Sequence, residues 1–204
     1  TFDATGQEGD ALRPEDATRP DADDLRGWKR VDGWLKDMIY AGFDHDDRFL
    51  GARALSRYFG RDAQPEYLFN KYRQLMIVDS YSTWFTFDYR SVRNRPTLAE
   101  QWLNDASVPA AGKQLIQAIA AQSPGLYRVE QADEDTGKIT LSDLFTGDFE
   151  IATDFALSTC VEPGWVLAGR LVPVGNCCFF YAGGPLATAA DLTEILDFLR
   201  PACN

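Results

Sequence analysis

The densest concentration of chemically capable side chains lies between Asp79 and Arg95. Tyr81, Trp84, Phe85, Phe87 and Tyr89 are interleaved there with Asp79, Asp88 and Arg90, and Arg93 and Arg95 follow. A carboxylate set between an aromatic wall and a guanidinium can grip a ligand, and a guanidinium can stack on the rings themselves. Tyr81, Trp84, Phe87, Tyr89, Arg90 and Arg93 are therefore the candidate binding residues. Asp79, Asp88 and Arg90 are the set that a carboxylate–arginine hydrolase of phosphorylated or nucleic-acid substrates would use, in a cleft that perturbs a carboxylate. The competing account is architectural. Aromatic stripes fill cores, and Asp88 pairs with Arg90 to fix a helix end against one. The architectural account is the simpler of the two.

Other reactive groups form no catalytic set. Asp44-His45-Asp46-Asp47 places the only histidine among carboxylates, yet a calcium loop needs more oxygen ligands at fixed spacing. The run is better suited to capping the next helix. Cys160, Cys177, Cys178 and Cys203 include no CxxC pair. Cys177 and Cys178 are adjacent on an expected strand and point to opposite faces, which does not suit a four-cysteine zinc site. A thiolate nucleophile also needs a base or cation nearby, and no histidine is placed to serve. The chain has no nucleophile-elbow, P-loop or dinucleotide glycine pattern. Gly183-Gly184 has no following Lys and does not make a phosphate cradle. Arg53, Arg57 and Arg61 share one helix face and could meet RNA, an acidic partner or the chain's own acidic arm. The expectation is no metal and no cofactor.

The elements that position these groups fall into three stretches. Residues 1–25 have few large apolar groups and two interrupting prolines, and read as an acidic tail or arm. Residues 26–122 read as helical. Trp28, Val31, Leu35, Met38 and Ile39 recur at helical spacing, with Gly42 as a stop. Asp46 or Asp47 caps a second helix ending near Gly60. Pro65 opens a third that runs on towards Trp84. Thr97 with Glu100 forms a capping box, and a further helix covers Pro109 to Ala121. Residues 123–204 alternate instead. Leu126–Ala132, Ile139–Leu141, Phe149–Thr153, Trp165–Val174 and Cys177–Tyr181 read as strands. Pro163-Gly164 suits the centre of a type II turn. Gly183-Gly184-Pro185 ends the sheet, and Thr188 caps a closing helix. No internal repeat is evident. The expected fold is α+β: a helical half packed on a small, strongly bent antiparallel sheet or partial barrel, closed by a C-terminal helix.

Charge narrows the partners. The net charge is −11 over 204 residues. Residues 1–47 carry 13 acids and 6 bases, residues 48–95 carry 4 and 9, and residues 96–204 carry 14 and 5. The overall field opposes a polyanion, although the basic middle could attract RNA or a ribosome locally. No apolar run approaches the roughly 20 residues that span a bilayer, and residues 1–10 are not a signal peptide. Four cysteines with no framework spacing fit a reducing compartment, so a cytoplasmic location is expected.

Ser80-Tyr-Ser-Thr-Trp-Phe-Thr-Phe-Asp-Tyr-Arg90, Pro124-Gly-Leu-Tyr-Arg-Val129, Leu141-Ser-Asp-Leu-Phe-Thr-Gly147 and Gly164-Trp-Val-Leu-Ala-Gly-Arg-Leu-Val-Pro-Val174 form an ordered set. Together they resemble the uncharacterised domain that accompanies the SEC-C zinc-binding motif in many bacterial proteins. The resemblance covers residues 78–184. The SEC-C cysteine pattern itself is absent, so the motif's zinc site does not carry over. The resemblance implies a fold and no reaction. The functional expectation is a non-enzymatic binding or adaptor protein with a protein partner, its surface formed by the small sheet and the segment from Tyr81 to Tyr89. Five tryptophans and eight tyrosines supply the residue types that anchor interfaces.

Overall fold

A computed structural model describes residues 24–45, 52–59, 77–92, 95–181 and 185–187. The first helix, α1 (Leu25–His45), buries Trp28, Val31, Leu35 and Ile39, the stripe that the spacing predicts. It opens on Asp24, whose carboxylate accepts the Gly27 N–H at 2.8 Å. It does not stop at Gly42 but runs three residues further. A glycine inside a helix costs only about 1 kcal/mol relative to alanine and cannot end a helix alone. Next come α2 (Ala52–Phe59), α3 (Ile77–Phe87), α4 (Leu98–Asn104) and α5 (Ala110–Ala120). The caps proposed for α2 and the start proposed at Pro65 lie outside the described residues, as does the closing helix after Thr188.

Helix α4 starts on the capping box read from the sequence. Thr97 Oγ1 accepts the Glu100 N–H at 3.1 Å, and Glu100 Oε2 accepts the Thr97 N–H at 2.7 Å. Helix α5 buries Ala111, Gly112, Leu115, Ile116 and Ile119. Gly112 permits the close approach of α1. A Cβ there would sit 2.3 Å from the Trp34 ring.

The sheet is antiparallel in the order β3-β2-β1-β4-β5, built from β1 (Gly125–Asp133), β2 (Lys138–Asp143), β3 (Phe149–Thr153), β4 (Val166–Val174) and β5 (Cys177–Tyr181). A short β6 (Pro185–Ala187) also pairs with β4, so the sheet does not end at Gly183-Gly184-Pro185 as expected. Strand β4 carries the bend. Its first half pairs with β1, from Arg128↔Val166 to Gly125↔Gly169, and its second half pairs with β5, from Arg170↔Tyr181 to Val174↔Cys177. The sheet curls without closing: among the described residues no ladder joins the edge strands β3 and β5. The α+β class with helices first is as the sequence indicated.

Both hairpins at the ends of β2 use one device, a repeat that the sequence reading missed: Asp-x-x-Thr-Gly at Asp133–Gly137 and again at Asp143–Gly147. Asp133 Oδ1 accepts the N–H groups of Asp135 and Thr136 at 3.0 and 3.2 Å, and Asp143 Oδ1 accepts those of Phe145 and Thr146 at 2.7 and 3.0 Å. Each turn closes with the glycine N–H on the aspartate carbonyl at 2.8 Å, and φ is +68° at Gly137 and +79° at Gly147. Gly164 (φ +90°) and the Trp165 N–H to Glu162 carbonyl bond at 3.1 Å complete the expected type II turn. A one-turn helix not read from the sequence, α6 (Phe155–Ser158), is capped by Asp154.

Two apolar clusters sit on opposite faces of the curled sheet. One joins α1, α5 and Phe87 to Val172, Val174, Phe179 and Tyr181. The other fills the curl with Tyr127, Val129, Ile139, Leu141, Ala152, Leu157, Leu167 and Phe180.

Candidate functional site

Helix α3 is too apolar on too many sides to present a simple stripe, and the fold buries most of it. Tyr81 is fully buried, and Phe85 and Phe87 nearly so. Tyr81 and Phe85 form a third cluster with Ala54 and Tyr58 of α2, Trp84, Tyr89 and Leu98. The Tyr58–Trp84, Trp84–Tyr89 and Phe85–Tyr89 centroids lie 5.1, 5.0 and 5.1 Å apart. Rings in direct contact leave no aperture for a cation or a second ring between them. Burial pushes the phenols of Tyr81 and Tyr58 up, the latter eased by Ser80. Trp84 and Tyr89 are half-buried at the rim. A shallow pocket of about 230 Å³ opens above this cluster, lined by Phe85, Tyr89, Ser91, Pro96, Leu98 and Gln101. It is smaller than the ~300–1,000 Å³ that holds a drug-sized ligand.

Asp88 and Arg90 have separate partners. The sequence account paired Asp88 with Arg90; the structure pairs each with a different residue. Asp88 is the first residue past α3 and meets Arg170 of β4, 82 positions away. Arg170 Nε also donates to the Gln122 carbonyl at 2.9 Å, and its guanidinium lies 5.9 Å from the Phe87 ring centroid. Its side chain is only 4% exposed, while that of Asp88 is 35% exposed. Arg90 instead holds Glu100 Oε1 at 2.6 Å and the Arg95 carbonyl at 2.9 Å. Arg90 first, and then the Thr97 N–H, hold the Glu100 carboxyl below its ordinary range, and the bond to Glu100 in turn raises Arg90. One arginine thus ties the end of α3 to the sheet, and another ties the loop after α3 to the cap of α4. The side chains of Asp79 and Arg93 lie outside the described residues.

Among the described residues no thiol has a base or cation shown beside it. Cys160 is exposed, and Cys177 and Cys178 are half-buried on β5. Burial first, then the Glu150 carboxylate, push the Cys178 thiol up to about 11, so it is protonated at neutral pH. Among the described residues no group of three or more His, Cys, Asp or Glu is arranged to hold a metal ion, and no helix is long and apolar enough to cross a membrane.

The unexpected feature is on the sheet. Phe145, Phe149 and Ile151 are 58%, 67% and 57% exposed. Phe149 and Ile151 share one face of β3 because side chains alternate along a strand; Ala152, on the other face, is fully buried. The strand itself was legible, but the small Ala152 looks like the less probable inward residue, so its orientation was not. Phe155 is also 41% exposed, yet it is already used. Its ring lies against Gly137, and Lys29 Nζ sits 3.5 Å above it.

Helices packed on an open, curled antiparallel sheet define an α+β domain in which the Asp88–Arg170 and Arg90–Glu100 pairs tie the helices and the sheet together. Residues 67–196 match the Family of unknown function (DUF7986), and the chain belongs to that family. No curated protein matches the sequence.

Proposed function

We propose that this chain is a non-enzymatic binding module whose partner is a protein, docked on the outer face of β3 and the adjoining β2–β3 turn. The observation that carries this reading is the grouping of Phe145, Phe149 and Ile151, each more than half exposed, on a single hairpin. Large apolar side chains gathered on a surface mark interaction sites, and aromatic residues dominate the energetics of interfaces. The engagement of Asp88 by Arg170 and of Arg90 by Glu100 supports this reading over a carboxylate–arginine hydrolase. The contact among the rings of Tyr81, Trp84 and Tyr89 supports a framework role for that segment, with the sheet as the working surface. The free thiols of Cys160, Cys177 and Cys178 support a cytoplasmic location. The helical region and the sheet act as one unit in this reading.

The test is photo-crosslinking in cells. A photoreactive residue at position 149 should give discrete adducts, and the same residue at Val92, 54% exposed elsewhere on the molecule, should not. Equal labelling at both positions, or none at 149, removes the reading.

A further inference from the structure

The solvent face of α1 departs in three ways from what stability alone would select. Arg26 stands in the first turn, where the helix dipole favours carboxylates, and no acid accompanies it there. Gly33 lies in the middle of the helix, where alanine would stabilise it. Nothing stands within 4 Å of where its Cβ would be, so the packing of this chain does not call for a glycine. Arg26, Arg30 and Asp37 are exposed, and among the described residues none of them has an ion-pair partner. Departures from local rules collect at functional sites.

These residues form one stripe. Arg26, Arg30, Gly33, Asp37 and the 38%-exposed Tyr40 fall within an arc of about 80°, opposite the buried Trp28, Leu35 and Ile39. Arg30 and Asp37 are about 10 Å apart along the axis, too far to pair within one helix. Reversed end for end, however, the stripe complements itself. The midpoints of the pairs 30/37 and 26/40 both fall at Gly33 or half a residue beyond it. We infer that the solvent face of α1 binds the same face of a second copy of this chain, antiparallel about a two-fold axis beside Gly33. Arg30 then meets Asp37 at two symmetric contacts, and Arg26 comes beside the Tyr40 ring. The bare glycines face each other at the centre and let the two helices approach closely. An acidic peptide or a nucleic acid would satisfy the arginines but set its own charge against Asp37. The inference stands apart from the β3 docking face and shares none of its residues.

The experiment is sedimentation velocity of the purified full chain over a concentration series, because one helix face is a small interface and the dimer is reversible. The wild type should pass from monomer to dimer as concentration rises. Arg30→Glu sets two carboxylates against each other at both contacts, and Asp37→Lys sets two cations. Each alone should weaken the dimer about tenfold or more. Mixed in equal amounts, the two variants should pair with each other, since every charge then meets its opposite. Gly33→Leu should abolish the dimer by holding the helices apart. All three positions lie on the solvent face, so circular dichroism should show each variant folded. A wild type that stays monomeric, a dimer indifferent to Gly33→Leu, or a mixture that associates no better than either variant alone would overturn the inference. A dimer dissociated by Phe149→Ser and not by Arg30→Glu would assign self-association to the β3 face and overturn it too. A monomer that binds oligoglutamate or oligothymidylate, and loses that binding in Arg30→Glu, would give the stripe to an anionic partner instead.

Discussion

Removing either partner of the Asp88–Arg170 pair should have unequal consequences. Arg170 has a side chain 4% exposed, whereas the Asp88 side chain is 35% exposed. Asp88→Ala leaves a guanidinium inside the protein with one carbonyl acceptor, Gln122. Breaking a fully buried pair in this way costs about 3–5 kcal/mol. Here one partner already touches solvent, which screens the attraction, so the expected loss is about 2–3 kcal/mol. Arg170→Met removes the buried charge and keeps much of the side-chain volume. Asp88 can then turn to water, and the main loss is the bond to the Gln122 carbonyl, about 1 kcal/mol. The double variant should resemble Arg170→Met alone, giving a coupling energy of about 2 kcal/mol. Urea unfolding of the four proteins measures these differences directly. Additive losses, or Arg170→Met costing more than Asp88→Ala, would refute the claim that the guanidinium is the buried member whose charge must be matched.

Other predictions follow from single contacts. Gly112→Ala should destabilise by about 1–3 kcal/mol, because its Cβ meets the Trp34 ring at 2.3 Å; Trp34→Ala in the same chain should recover part of that loss in thermal unfolding. Thr97→Ala should cost about 1 kcal/mol by the same measurement, through loss of the α4 cap. Glu100, Glu130 and Asp133 are held below their ordinary range, chiefly by Arg90, Ser142 and Thr136 respectively. Their contribution should be complete above the unfolded values near pH 4 and be lost as pH falls through the depressed folded ones, seen as acid unfolding in a pH series. At the other end, Cys178 ionises near pH ~8.5 when unfolded and at about 11 when folded. The unfolded chain releases that proton first, so stability should fall as pH rises through this window, and Cys178→Ala should flatten the fall.

Local signals were readable, and long-range ones were not. The capping box at Thr97, the type II turn at Pro163-Gly164 and the limits of β3 and β5 each depend on a few neighbouring residues, and each appears where the sequence placed it. The helical stripe of α1 was clear for the same reason, although Gly42 was given more weight than a single glycine has. Asp88 was assigned to Arg90 because the two are close in sequence; Arg170 reaches it only after β4 has bent past Gly169, which no local pattern announces. The aromatic segment looked like a surface because its residue types are those of interfaces. The same residue types fill cores, and only the placement of Tyr58 and Leu98 beside Tyr81 and Phe85 decides between the two. The exposure of Phe149 and Ile151 was not singled out because alternation in Phe149–Thr153 gives two faces without saying which one turns inward. The twin Asp-x-x-Thr-Gly turns were there to be found by comparing two hairpins with each other.

The central claim divides the aromatic residues into framework and working surface, and one pairing of measurements separates them. Unfolding free energy and crosslinked-adduct yield should be recorded for Tyr81→Ala and for Phe149→Ser with Ile151→Thr, the photoreactive residue being carried at 145 in both. The account predicts that Tyr81→Ala loses about 3–5 kcal/mol, while the β3 pair stays within about 0.5 kcal/mol of the parent protein and forms no adduct. Normal adduct yield from the β3 pair, or a Tyr81→Ala protein as stable as its parent, would contradict it.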